Sequence, residues 1–270
     1  MKRVHWFEFM DFKWFPNFLR DIITDTIKVS DKNPMFDRIV SVIVNALDQS
    51  KINTVVDLCS GGGGPWFRLF NLIKAEKPDF KLVLTDLYPN KKTIDSIPAE
   101  FKEKVEYITE PVDATDVPAS QKGVRTFFGS FLHMRPQQAK QILECAAKEN
   151  NGIVVGEAAM FPREKAWLIL ILQIVFFPLY LIMYWVMAAK AIKGSVLTKI
   201  LRFILVYPIP LIPLIMMWDS AVSAMRVYTK EDLDNLIKDI KVDGYIFEAK
   251  KIPSYRDKPA IHYCVGYPCD

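Results

Sequence analysis

VVDLCSGGGGP, Val55 to Pro65, is the stretch on which the fold turns. Its apolar, β-branched opening reads as a buried strand ending at Asp57, and the four glycines that follow read as a tight turn. Glycine has no Cβ, so the backbone from Gly61 to Gly64 can take positive φ and lie directly against a ligand. The next residues, WFRLFNLIKAEK, repeat apolar side chains at helical spacing, and Pro65 suits the first turn of that helix. Strand, turn and helix together make a nucleotide-type pocket with the helix N-terminus pointing into it.

Three ligand classes compete for such a turn. A dinucleotide fingerprint counted from Gly61 through Gly63 puts Trp66 where a third glycine or alanine is needed for close helix packing, which weakens a nicotinamide reading. A phosphate-cradling loop needs Lys followed by Ser or Thr after the glycines, and neither is there. The alternation Asp57, Cys59, Gly61, Gly63 resembles motif I of the class I S-adenosylmethionine-dependent methyltransferases, an acidic residue followed by alternating small residues. Cys59 stands where that family usually has glycine, so the position calls for a small side chain. A glycine-rich turn without a ligand is the plain alternative, although four glycines in a row lose conformational entropy while packing nothing.

The resemblance extends to the acids that follow. KLVLTDLYPN reads as a second strand stopping at Asp86, 25 residues past Gly61, where a carboxylate can accept hydrogen bonds from both ribose hydroxyls or serve as a simple turn residue. The family likeness implies the ribose role for Asp86, places Leu87 and Tyr88 beside the adenine, and makes Ser60 a cofactor contact. A third strand, VEYIT, precedes EPVDATDVP, where the family has a carboxylate near the adenine amino group; Asp113 beside Ala114 is the candidate and Asp116 the alternative. The same aspartates also suit a polar loop that caps a helix.

VRTFFGSFLHMRP supplies a fourth strand that runs into Ser130, Phe131 and His133, with Ser130 a further cofactor candidate. Pro136 opens a helix over QQAKQILECAAKEN, Gly152 stops it, and GIVVGEAAM is a fifth strand ending at Glu157. Methyl transfer from a sulfonium is an in-line displacement that needs no metal. A base helps if the acceptor is a phenol, a hydroxyl or a protonated amine, and His133 and Glu157 are the candidates because strand carboxyl ends border the ligand crevice. A helix-flanking histidine without a role is the plain reading of His133.

Length and composition frame this. At 270 residues the chain accommodates one large α/β domain and an insertion. Its net charge of +4 is mild and no dense basic run is interleaved with aromatics, which argues against nucleic acid. Cys59, Cys145, Cys264 and Cys269 lack metal-ligand spacing and read as reduced thiols of a cytosolic protein. The start, MKRVHWFEFMDFKW, has charges among its rings and no apolar core of signal-peptide type. Trp6, Phe7, Phe9, Phe12, Trp14, Phe15 and Phe18 make it an aromatic arm, either a core cover or an interfacial anchor, before a helix over Phe18 to Ile27 and another over Met35 to Leu47.

After Glu157 the pattern breaks. Ala166 to Met187 carries no charge for 22 residues, which as one helix would reach about 33 Å at about 1.5 Å per residue, long enough to span a bilayer. A second apolar run, Phe203 to Trp218, is interrupted by Pro208, Pro210 and Pro213. The linker holds Lys190, Lys193, Lys199 and Arg202 and no acid, so a two-pass hairpin would place this cluster against the positive-inside tendency. A monotopic or re-entrant hairpin entering from the cytosolic leaflet fits better, with a soluble cap or dimer interface as the alternative. Asp219, just after the run, marks either the mouth of a lipid-side entrance or its polar end.

Thr229 reads as an N-cap with Glu231 and Asp232 in the first turn, and GYIFEAKKIP and AIHYCVGYP read as closing strands. The family's sheet ends in an antiparallel pair. The expectation is a doubly wound, mostly parallel seven-stranded α/β sheet of class I methyltransferase type with an inserted hydrophobic helical hairpin. Its parts are an aromatic cap (1–50), a cofactor-binding half (51–160), a membrane-associated insertion (161–220) and a closing segment (221–270). Function follows as S-adenosyl-L-methionine-dependent methylation of a lipophilic small molecule or lipid at the membrane, with a cytoplasmic catalytic domain. A cofactor-binding membrane scaffold without chemistry is the alternative, and the sequence fixes no oligomeric state.

Overall fold

The computed structural model describes residues 3–30, 34–90, 93, 97, 99–189, 192 and 195–269, apart from the side chains of 28–30. Lys190 and Lys193 of the basic linker lie outside the described residues. In chain order the helices are α1 (Asn17–Ser30), α2 (Val40–Gln49), α3 (Trp66–Glu76), α4 (Pro136–Lys148), α5 (Trp167–Val175), α6 (Phe177–Ala189), α7 (Val196–Val206), α8 (Leu211–Arg226) and α9 (Lys230–Ile237). The strands are β1 (Thr54–Asp57), β2 (Lys81–Leu84), β3 (Val105–Tyr107), β4 (Val124–Phe128), β5 (Ile153–Ala159), β6 (Tyr245–Ile252) and β7 (Ala260–Pro268). They form two compact units, Pro34–Met160 with Tyr228–Asp270, and Met1–Asn33 with Phe161–Val227.

The first unit holds a seven-stranded sheet of order β3-β2-β1-β4-β5-β7-β6. β1 to β5 pair in parallel, whereas β7 runs against both β5 and β6. The sheet is therefore mixed rather than mostly parallel, because the short link between β6 and β7 joins neighbouring strands only if they are antiparallel. Successive strand residues feed opposite cores. Val55 and Val154 pack with α2 and α3 residues such as Ile43, Trp66 and Phe70, while Val56 and Val155 pack with Ile142 of α4 and Leu233 of α9. Helices thus cover both faces, and α2, expected in the N-terminal cap, packs on this sheet.

Local signals explain the boundaries. Trp66, fully buried, opens α3 against Phe80 and Phe128, which is why an indole is accommodated directly after the glycines. Pro136 is the first residue of α4; that helix ends at Lys148, and Asn150, at a left-handed φ of 58°, turns the chain away two residues before Gly152. At α9 the Thr229 hydroxyl and the Asp232 carboxylate each accept from the other's backbone N–H, a reciprocal capping box.

The second unit is helical. Among the described residues no single helix is long and apolar enough to cross a membrane. The 22-residue run expected to form one helix breaks at Phe176 into α5 and α6, bent by 92°, and Pro178 sits in the first turn of α6, where its missing N–H is tolerated. α7 and α8 form a second pair bent by 61°, with Pro208 and Pro210 between them. α1 packs against α6 and α8, and the arm before it buries Phe15 among Tyr184, Ile212 and Met216.

Candidate functional site

The chain leaves β1 for β2 and β3 on one side and returns through β4 to the other, so the carboxyl ends of β1 and β4 flank a topological switch. Asp57 ends β1 there, buried, with Oδ2 accepting from the Ser60 hydroxyl at 2.6 Å and Oδ1 from the Thr126 hydroxyl of β4 at 2.7 Å. Burial raises this carboxyl from its ordinary 3.8 to about 7, against the pull of those two hydrogen bonds. Asp57 thus ties the turn to β1 and β4.

The turn that follows is built on left-handed backbone. Gly61, Gly63 and Gly64 have φ of 52°, 98° and 46°, and a Cβ at Gly63 would lie 2.7 Å from the Phe67 ring. Cys59 also has a φ of 61°, the conformation that a glycine would take without strain. The Gly61 N–H donates to Asp86 Oδ2 at 2.7 Å, and Asp86 Oδ1 accepts from the Tyr88 N–H at 2.8 Å. The Tyr107 hydroxyl donates to the Gly61 carbonyl at 3.1 Å and accepts from the Asn90 N–H, so β3 steadies the same turn.

The half-buried Cys59 thiol reports what surrounds it. Burial raises its pKa, and the negative charges of Asp86, Asp57 and Asp113 raise it further in that order. Asp113 is exposed, and its Oδ1 accepts from the Thr115 N–H at 2.8 Å and hydroxyl at 2.7 Å, a local turn. Ala114 is buried in the core beside it; Leu87 is exposed and Tyr88 half-buried.

On the β4 side, Ser130 is buried and its hydroxyl has no hydrogen-bond partner among the described residues. An orphaned buried hydroxyl just past β4, the strand paired with β1, is what a polar ligand would satisfy, so the residues present fit a nucleoside-type cofactor. His133, half-buried, closes the turn Phe131–His133, its N–H bonded to the Ser130 carbonyl at 3.1 Å. Glu157 is fully buried in β5, and its Oε1 accepts from the Leu132 N–H at 3.1 Å. Its carboxylate anchors the turn that carries His133. Thr126 and Tyr107 were missed from sequence: each sits in an apolar strand and reads as packing, and only the register of β4 and β3 against β1 and β2 shows otherwise.

No protein-family model and no curated protein matches the chain. Among solved structures it is similar to human N-acetylserotonin methyltransferase in complex with SAM, at 12% identity and a TM-score of 0.44 over 87% of this chain and 53% of that one. An O-methyltransferase family protein from Burkholderia thailandensis gives 12% identity and a TM-score of 0.45 over 90% of this chain and 59% of that one. Magnesium protoporphyrin IX methyltransferase from Synechocystis PCC 6803 with bound SAH gives 12% and 0.44 over 87% and 85%. The chain spans little more than half the length of the first two.

Proposed function

We propose that this protein is an S-adenosyl-L-methionine-dependent methyltransferase acting at a membrane on a lipophilic small molecule or lipid. The observation that carries the reading is the turn of left-handed glycines after β1, whose Gly61 N–H donates to Asp86 Oδ2 at 2.7 Å just past the end of β2. In this reading Asp86 holds the ribose, Asp113 the adenine side, and the backbone of Ser60 to Gly63, with the Ser130 hydroxyl, the remainder of the cofactor. Leu87, Tyr88 and Ala114 supply apolar surface for the base. The cofactor supplies an electrophilic methyl group on a sulfonium.

The chain's own part is to orient and to exclude water. Asp57, held by Ser60 and Thr126, fixes the turn rather than touching ligand. His133 is the group placed to take a proton from the acceptor, and Glu157 keeps its turn in place through Leu132. The uncharged run from Ala166 to Met187 and its exposed side chains support a lipophilic acceptor and a membrane location.

The test is incubation of the purified protein with methyl-labelled donor and a total lipid extract. Label in a lipid fraction, lost in Asp86→Ala, is expected. Cofactor binding with every fraction unlabelled would favour the scaffold reading, and binding of a nicotinamide cofactor instead would remove both.

A further inference from the structure

Two helices of the helical unit bury a polar residue and turn apolar ones outward. In α5 the buried residue is Gln173, at 4% exposure, while Ile171, Ile174 and Val175 face outward. In α7 the buried residues are Arg202 and Val206, while Val196, Leu197, Ile200 and Phe203 are exposed. The polar groups inside satisfy one another: Gln173 and the Tyr184 hydroxyl both donate to Ser220 Oγ, and Arg202 pairs with Asp25 of α1 at 2.8 Å. A water-facing surface selects the opposite arrangement, and scattered exposed apolar residues do not explain it on two helices, with Leu179, Ile182 and Val186 of α6 between them also exposed.

We infer that residues 3–30 and 161–227 form one lipid-docking body that enters a single leaflet of an anionic bilayer through α5, α6 and α7. The inference rests on the membrane location proposed above and adds its depth, its lipid charge and its composition from two distant stretches of chain. Depth follows from the bends. At about 1.5 Å per residue α5 and α6 reach about 13 and 20 Å, and at 92° the pair extends about 24 Å end to end, short of a hydrocarbon core of about 30 Å. α8 does not add a span, because Asp219 and Arg226 are buried in it within the unit.

Charge names the partner. From Ala166 to Trp218 the chain has four cations and no acid; Arg202 is paired inside with Asp25, and exposed Lys199 lies on α7 beside the outward Ile200. Each cation near an anionic headgroup adds about 1 kcal/mol of attraction. The N-terminal arm belongs to the body: Trp6 and Phe7 are about half exposed and pack on Trp218, whose indole N–H donates to the Phe7 carbonyl at 3.0 Å. Rings at this exposure suit the headgroup level.

The test adds the full chain to preformed vesicles of phosphatidylcholine, with and without phosphatidylglycerol, and measures flotation. Strong flotation on the anionic vesicles is expected, with Ile174→Asp and Leu197→Asp, at positions 73% and 77% exposed, each lowering partition roughly tenfold while Ile174→Leu does not. S-adenosylhomocysteine binding by calorimetry identifies variants that remain folded, and the two aspartates on different helices test the face independently. Lys199 of bound protein should react with a membrane-impermeant amine reagent supplied outside. Protection of Lys199 until detergent is added would overturn single-leaflet entry and leave the membrane reading standing. Flotation insensitive to both aspartates would overturn the assigned face. A stable dimer that does not float would assign the face to a second copy and remove the membrane reading as well.

Discussion

The backbone N–H of Gly61 donates to Asp86 Oδ2 at 2.7 Å, joining the glycine turn after β1 to the end of β2. This carboxylate shapes the turn, and in the proposed function it also holds the ribose. Asp86→Ala removes both contributions, and hydrogen bonds to a charged group are worth about 1.5–3 kcal/mol. Calorimetry should show S-adenosylhomocysteine affinity falling roughly 10- to 100-fold; unchanged affinity contradicts the ribose assignment.

Cys59 occupies left-handed backbone at a φ of 61° where a side chain brings strain of about 1–2 kcal/mol. Cys59→Gly relieves that strain and loosens the unfolded chain by a comparable or smaller amount, so its stability should lie within about 1 kcal/mol of the parent on the stabilising side. Cys59→Val adds β-branching in the same conformation and should be clearly destabilised. Chemical denaturation of the two variants checks the sign, and a less stable glycine variant would contradict it.

Asp57 makes stability depend on pH in an unusual direction for a carboxylate. Its folded pKa of about 7 lies above the ordinary 3.8, so the folded state holds this proton more tightly than the unfolded chain. The contribution is full at the acid end, declines as pH rises from about 4 to about 7, and is flat above. Asp57→Asn should flatten that part of the melting-temperature profile, and an unaltered slope would show that the carboxyl titrates elsewhere.

Arg226 is buried with Glu8 Oε1 at 3.0 Å and Asp11 Oδ2 at 2.6 Å, and it also donates to the Trp6 carbonyl. Replacing it with Met leaves Glu8 enclosed without its cation, a loss of about 3–5 kcal/mol for a buried pair broken on one side. Arg226→Met should lower the thermal midpoint sharply and expose the N-terminal arm to limited proteolysis. The double variant with Glu8→Gln should recover part of the loss.

Local chemistry reaches the sequence directly, which is why the strand, glycine turn and helix from Val55 to Glu76 are legible without coordinates: glycine backbone freedom and apolar spacing are properties of the residues themselves. The capping of α9 by Thr229 and the opening of α4 by Pro136 are legible for the same reason. The bend at Phe176 is not, because apolar spacing is equally consistent with one long helix and two short ones, and packing decides between them.

The sequence by itself determined the strands and helices of the sheet-bearing unit, their order and the acids just past the strands, since each depends on neighbours in the chain. Only the tertiary structure decided which side chains those acids meet. Thr126 on Asp57, Tyr107 on Gly61, Leu132 on Glu157 and Arg226 between Glu8 and Asp11 are partnerships across strand pairings or across some two hundred residues. A hydrogen bond depends on distance and direction in space, and neither is encoded at any fixed separation along the chain.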